Sequence, residues 1–354
     1  MDATTSEILF EKRGAAGVIM LNRPQALNAV THDMVIALSA RLKAWAVDDS
    51  ITRIVITAAG GRAFSAGGDI RHLYELGVAS RQGEALLFWR DEYPLNALIK
   101  NYRKPYVALI DGIAMGGGVG VSVHGSHRVV GERFSFAMPE VGIGFFPDVG
   151  ATWFLPRLPG ELGAYCALTG ERLNAADGVA AGIATHYVPS ARHPDLLEGL
   201  MGTVSVDATL AAFAEPAGAG PLTARRAVID RLFAHDTVEA ILAALEREAG
   251  TGGADAAWAD KTAATMRTKS PLSLKIALEQ VRRGKDWDFE TCMRAEFRIV
   301  SRIIEGHDFY EGVRAVIVDK DNKPHWNPAT LAAVAAEDVA RHFAPRPGDE
   351  LVLP

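Results

Sequence analysis

Apolar positions along the chain come in two textures: short unbroken runs, and stripes at helical spacing. Residues 18–21 form one such run, closed by Asn22-Arg23-Pro24, and predict a strand that ends in a turn. In residues 31–45, Met34, Val35, Leu38, Leu42 and Trp45 recur at helical spacing and fall on one face. Residues 51–57 predict a second strand, stopped by Ala59-Gly60-Gly61. After a loop over 62–66, Gly67-Gly68-Asp69 has the form of a helix start, with Asp69 near its positive end. An amphipathic helix is expected over 86–100 and a third strand over 105–110, followed by a glycine-rich loop and a short helix. Residues 128–130 and 134–137 predict two further strands.

This alternation, up to about residue 188, argues for an α/β core. Beyond it the texture changes. Residues 190–253 are rich in Ala, Gly and Pro with few strand signals, and 271–284 and 288–305 are convincing amphipathic helices. The expected organisation is an α/β core over 1–200 and a mostly helical region over 201–354 that completes the fold. No internal repeat is apparent.

Composition narrows the function classes. The chain has 354 residues, 49% hydrophobic and 23% charged, enough for a large core and ordinary for a globular protein. A net charge of −6 argues against a mainly electrostatic grip on nucleic acid. No apolar run approaches the roughly 20 residues that cross a bilayer. Met1 to Glu7 has neither secretory nor transit-peptide character, so a cytoplasmic location is expected. Cys166 and Cys292 have no partners at metal or redox spacing and read as small buried hydrophobes.

Candidate chemistry begins with two loops, each after a predicted strand and before a predicted helix. They are Ala63-Phe64-Ser65-Ala66-Gly67-Gly68-Asp69 and Met115-Gly116-Gly117-Gly118. Parallel neighbouring strands bring such turns side by side at the carboxyl ends of a sheet. Glycines let backbone N–H groups approach a bound carbonyl, and a helix start adds its positive end. One N–H from each loop, Ala66 and Gly117, is expected to grip a single oxygen, as an oxyanion or enolate requires. Either loop alone reads equally well as tight helix–strand packing; the pair favours a site.

Glu140 and Asp148 lie eight residues apart, each directly after a proline that stiffens its backbone. Beside Phe145 and Phe146, such a carboxylate is expected to have a raised pKa and to act as base or nucleophile. A lone Glu in a turn is ordinarily a solvated or capping group; the glycine loops reverse that reading. Three other signals are weaker. Ala63-Phe64-Ser65-Ala66-Gly67 is one residue short of the G-x-S-x-G nucleophile elbow, but no HGGG loop accompanies it. His124 and His127 show no third metal ligand, so no metal is expected. The glycine run completes neither G-x-G-x-x-G nor a Walker A pattern.

Asn22-Arg23-Pro24, the loop from Ala63 to Ile70, and Asp111-Gly112 through Gly118 together resemble the crotonase (enoyl-CoA hydratase/isomerase) superfamily over about residues 8–190. Met138-Pro139-Glu140 through Phe146-Pro147-Asp148-Val149-Gly150 is similar to its 3-hydroxyisobutyryl-CoA hydrolase branch. So are Glu92-Tyr93, Ser270-Pro271-Leu272-Ser273-Leu274-Lys275, and the tail from Asp308 through Trp326. The resemblance implies an α/β fold, a crotonase-like spiral of β-β-α units with a mostly helical C-terminal region. It implies an acyl-CoA substrate and no cofactor, CoA being part of the substrate.

The same resemblance maps the oxyanion hole onto the N–H groups of Ala66 and Gly117, and the polar acyl pocket onto Glu92, Glu140 and Asp148. Gly67, Gly68 and Asp69 are expected beside the substrate, and the charges of Arg23 and Lys320 suit CoA phosphates. Hydratases carry a second glutamate where this chain has Gly120, so addition of water across a double bond loses half its machinery. The implied activity is hydrolysis of 3-hydroxyisobutyryl-CoA, a step of valine breakdown. An enoyl-CoA isomerase and an RNA-binding scaffold are the rivals. Neither nucleic acid nor membrane is an expected partner, and a homo-oligomer is left open.

Overall fold

The computed structural model describes residues 6–354, so the reading of Met1 to Glu7 falls almost wholly outside the described residues. Among them the large sheet contains β1 (Ile8–Arg13), β2 (Ala16–Leu21), β3 (Arg53–Ala58), β5 (Tyr106–Ile110), β7 (His127–Val130) and β9 (His186–Tyr187), in that spatial order. A smaller sheet holds β4 (Ala63–Ser65), β6 (Ile113–Met115) and β8 (Ser135–Ala137). Only β1 and β2 pair antiparallel; every other ladder is parallel. Each turn of the chain lays one strand in the large sheet, the next in the small one, and then a helical segment. This is the expected spiral of β-β-α units.

Parallel strands covered on both faces read as unbroken apolar runs, and all five residues of β5 are buried. That is why the central strands were plain in the sequence. The three-residue strands were not: β4 lies inside the segment expected as a loop, and β6 separates the third predicted strand from the glycine run. Three residues carry too little periodicity to register.

Helix α1 (His32–Ala46) buries the five residues of its expected stripe, and Thr31 caps it by accepting from the Met34 N–H. Asp69 caps α2 (Ile70–Val78) in the same way, through the His72 N–H. Helix α3 (Gln82–Lys100) starts four residues before the expected Leu86 and buries Trp89, Glu92 and Tyr93. The short α4 (Gly117–Gly120) follows the glycine run. After residue 200 the chain is helical, and helices Pro271–Gly284 and Phe289–Ile303 match expectation. Phe289–Ile303 packs back onto α3. A single apolar cluster joins Ile56 and Phe64 of the sheets to Phe297 and Val300 of that late helix.

Candidate active site

Because β4 and β6 are parallel neighbours, the loops that follow them lie side by side. Gly67 (φ 121°) and Gly116 (φ 44°) hold backbone conformations that side chains rarely adopt. A Cβ on Gly117 would sit 3.2 Å from the Gly68 nitrogen and 2.8 Å from Glu92 Oε1, so the two loops and the α3 carboxylate converge on one point. The N–H groups of Gly68 and Gly117 have no acceptor among the described residues. Ala66 is different: its N–H donates to the Leu27 carbonyl at 3.0 Å. Leu27, held at φ 51° in the turn after Pro24, aims that carbonyl at the loop. This corrects the sequence expectation. The free donor of the first loop is Gly68, not Ala66.

Glu140 and Asp148 both project into the same cavity of about 800 Å³, with Glu92, Trp89 and Phe145 on its walls. Trp89 and Phe145 stack with centroids 5.6 Å apart. All three carboxylates are buried, and neither Glu140 Oε2 nor Glu92 Oε1 has a hydrogen-bond partner. Buried polar atoms are normally satisfied, so these oxygens await a partner from outside the fold. Burial, and then the charge of Asp148, push Glu140 well above the usual carboxylate range. Burial pushes Glu92 the same way, aided by Asp148 and Glu296. Asp148 rises to about 7, burial outweighing hydrogen bonds from Tyr93 and Trp89. The Tyr93 hydroxyl donates to Asp148 Oδ2 at 3.0 Å.

Glu296 was missed by the sequence reading. From the late helix Phe289–Ile303 it reaches under the site, and its carboxylate accepts from the Gly150 and Thr152 N–H groups, each at 2.8 Å. Gln280 donates to the Pro147 carbonyl at 2.6 Å, and His124 Nε2 bonds the Val149 carbonyl at 2.7 Å. These three side chains grip a turn that needs holding, because Val149 lies at φ 53°. A β-branched residue there is a genuine outlier that costs roughly 1–3 kcal/mol. The only sequence signal was a glutamate on the apolar face of an amphipathic helix. Its partner turn is 144 residues away in sequence.

The remaining candidates divide. Arg23 lines the cavity, but its charge is already met: Glu7 Oε1 lies 2.9 Å from its Nε, the Ala29 carbonyl accepts at 2.9 Å and Asp69 Oδ2 at 3.1 Å. Arg23 and Asp69 therefore brace the loop carrying Gly67 and Gly68. Among the described residues the cavity-lining cation without an ion pair is Lys269, which the sequence reading passed over; Arg23 and Arg71 are both paired. Lys320 is exposed at φ 58°. Ser65 is fully buried, its Oγ bonded to the Gly67 backbone and packed against Gly118, so it cannot serve as a nucleophile elbow. His124 is buried with its pKa lowered to about 4, chiefly by burial, and His127 pairs with Asp207. Burial pushes both cysteine thiols up to about 12. At Gly120 a Cβ would meet Asn96 Nδ2 at 2.8 Å and Val149 Cβ at 2.9 Å, leaving no room for a second glutamate. No helix among the described residues is long and apolar enough to cross a membrane.

Comparison with known proteins follows the same line. The family model for enoyl-CoA hydratase/isomerase matches residues 16–343. A mitochondrial 3-hydroxyisobutyryl-CoA hydrolase of Danio rerio is 45% identical over 96% of this chain and 90% of its own. The Homo sapiens protein of that name is 43% identical over 95% and 88%. Two crystal structures superpose almost completely. One is a carnitinyl-CoA dehydratase from Mycobacterium thermoresistibile (TM-score 0.92, 44% identity, 98% of this chain and 99% of that one). The other is an enoyl-CoA hydratase from Rhodobacter sphaeroides (TM-score 0.91, 41% identity, 98% and 100%).

Proposed function

The chain belongs to the enoyl-CoA hydratase/isomerase family, and on that premise we propose that it hydrolyses the thioester of 3-hydroxyisobutyryl-CoA to 3-hydroxyisobutyrate and coenzyme A. Near-full-length identity to proteins of that name supports the reading. The observation that carries it against the hydratase and dehydratase names of the solved relatives is Gly120. A hydratase carries its second catalytic glutamate at the position of Gly120; here Glu140 keeps the first position, and the second is closed by Asn96 and Val149.

The thioester oxygen lies between the Gly68 and Gly117 N–H groups, which stabilise the charge that develops as the carbonyl carbon becomes tetrahedral. Glu140, in its ionised form, removes a proton from the attacking water, or attacks the carbonyl itself to give an anhydride that water then opens. The C–S bond breaks, and coenzyme A leaves as a thiolate that takes up a proton. The substrate's 3-hydroxyl meets Glu92 and Asp148. Glu92, its pKa raised by burial, donates in its protonated form to the hydroxyl oxygen, while Asp148 accepts the hydroxyl hydrogen. The route uses no cofactor beyond the coenzyme A of the substrate. Valine breakdown is the proposed setting and the cytoplasm the proposed compartment, although the curated relatives are named as mitochondrial. A homo-oligomer is the proposed assembly.

Free-thiol release from 3-hydroxyisobutyryl-CoA, measured with the native chain and Glu140→Gln, tests the proposal. Rapid release that is lost in the variant is expected. Absence of release by the native chain would overturn the hydrolase reading. The second reading, an enoyl-CoA isomerase, needs only one glutamate and the same pair of N–H donors, both of which are present; double-bond migration in a short enoyl-CoA without thiol release would establish it.

A further inference from the structure

A second cavity, of about 420 Å³, opens at the other end of the sheet and shares no lining residue with the first. It lies by Tyr106, at the start of β5, whereas the candidate active site gathers beyond the carboxyl ends of the strands. Its walls hold Lys100, Arg128 and Arg157 and not one carboxylate. Among the described residues none of the three is in an ion pair; the oxygens that accept from the two arginines are backbone carbonyls.

Their hydrogen bonds leave much unused. Arg128 donates once each from Nε, Nη1 and Nη2, to the carbonyls of Ile183, Gly125 and Gly182. Arg157 donates to the carbonyls of Trp153, Gly284 and Trp287. A guanidinium has five N–H donors, so both retain unspent ones. Among the described residues Lys100 donates to no oxygen; its ammonium lies 3.9 Å from the centroid of the Trp153 ring, which also carries Arg157 at 4.7 Å. Burial lowers the Lys100 pKa, and the charges of Arg128 and Arg157 lower it further. Like charges gathered without a counter-charge repel, and unspent guanidinium and ammonium donors in one cavity match the multiple oxygens of a phosphate.

We propose that this cavity binds a small multiply charged phosphate anion, held jointly by Lys100, Arg128 and Arg157. The shared chemistry is the phosphoryl group, whether free or carried by a nucleotide. The anion would sit beside His124, whose other face grips the Val149 carbonyl next to Asp148.

Titration calorimetry of the full-length protein with inorganic pyrophosphate at low ionic strength tests this. Saturable binding is expected, weakening as salt is raised, unaffected by prior saturation with coenzyme A, and weaker by about tenfold or more in Lys100→Glu. Lys100→Gln, which keeps the stem, serves if the first variant does not fold. Adenosine diphosphate is titrated in parallel: tighter binding than pyrophosphate assigns a nucleotide, equal or weaker binding a free anion, and either supports the site. No pyrophosphate binding, binding untouched in both variants, or binding abolished by coenzyme A would overturn it. So would a concentration-dependent dimer lost in Lys100→Glu with no anion bound, which would make the cavity an interface between copies.

Discussion

Tyr93 and Asp148 share a 3.0 Å hydrogen bond under the cavity, the phenol donating to Oδ2. Donation to an ionised carboxylate favours the charged form, and here it works against burial, which holds Asp148 at about 7. Removing it in Tyr93→Phe raises the pKa of Asp148. If ionised Asp148 and Glu140 are both required, activity of the native chain climbs as pH rises through about 7, and keeps climbing while Glu140, also raised, loses its proton. In the variant that acid limb moves to higher pH, and kcat at neutral pH falls about tenfold, the worth of one hydrogen bond to a charged group. Superimposable pH–rate profiles for the two proteins would refute the role given to this pair.

The convergence of Gly68, Gly117 and Glu92 makes a sharper prediction. A methyl group at Gly117 would stand 2.8 Å from Glu92 Oε1 and 3.2 Å from the Gly68 nitrogen, in the space the thioester oxygen must enter. Gly117→Ala keeps the N–H but sets a methyl between it and its neighbours, and is expected to lower kcat by about 10²–10³, as much as if that oxyanion donor were lost. Gly117 is not at positive φ, so its backbone accepts alanine without strain. A folded variant with kcat within threefold of the native chain would remove Gly117 from the mechanism.

How much of this was legible beforehand follows from where the information lies. Buried parallel strands and the α1 stripe announce themselves by local periodicity, so the core was readable. So were Glu140 and Asp148, because prolines and glycine loops mark them in the chain itself. The donor register was not: choosing between Ala66 and Gly68 depends on where the Leu27 carbonyl points, a contact across 39 residues that no local pattern encodes. Arg23 failed for a similar reason, its charge being met by Glu7 and Asp69 through folding. Glu296 was invisible because its partners are backbone N–H groups, which leave no mark in a sequence.

Lys269 replaces Arg23 as the cavity's available cation. Burial lowers its pKa, and it has no ion-pair partner among the described residues. An unpaired cation on the wall of a cavity that accepts a coenzyme A ester suits its phosphates. Lys269→Ala is expected to raise KM about tenfold with kcat little changed, the mark of uniform binding lost. The native chain's KM should rise with salt while the variant's does so less. Steady-state kinetics at two ionic strengths decides; a fall in kcat at constant KM would assign Lys269 a different task.

Glu296 couples the late helix to the catalytic turn, and the coupling has a pH signature. Burial, against the Gly150 N–H, lifts its pKa from 4.5 to about 8, so the folded chain holds a proton that the unfolded chain has lost. Stability falls with pH wherever the native state binds more protons. This contribution is therefore complete below pH about 4.5 and is lost as pH rises through about 8. Glu296→Gln cannot titrate, so its melting temperature should fall less steeply between those limits. It also sets an amide NH₂ against one of the two backbone donors, a mismatch of about 1–3 kcal/mol, so it should melt lower throughout the acid range. With the turn at Val149 less firmly held, Asp148 is misaimed and kcat falls while KM holds. Melting curves against pH, run beside kinetics on both proteins, test each part: parallel curves would show that Glu296 does not titrate as described, and an unchanged kcat in a folded variant would show that the turn holds without it.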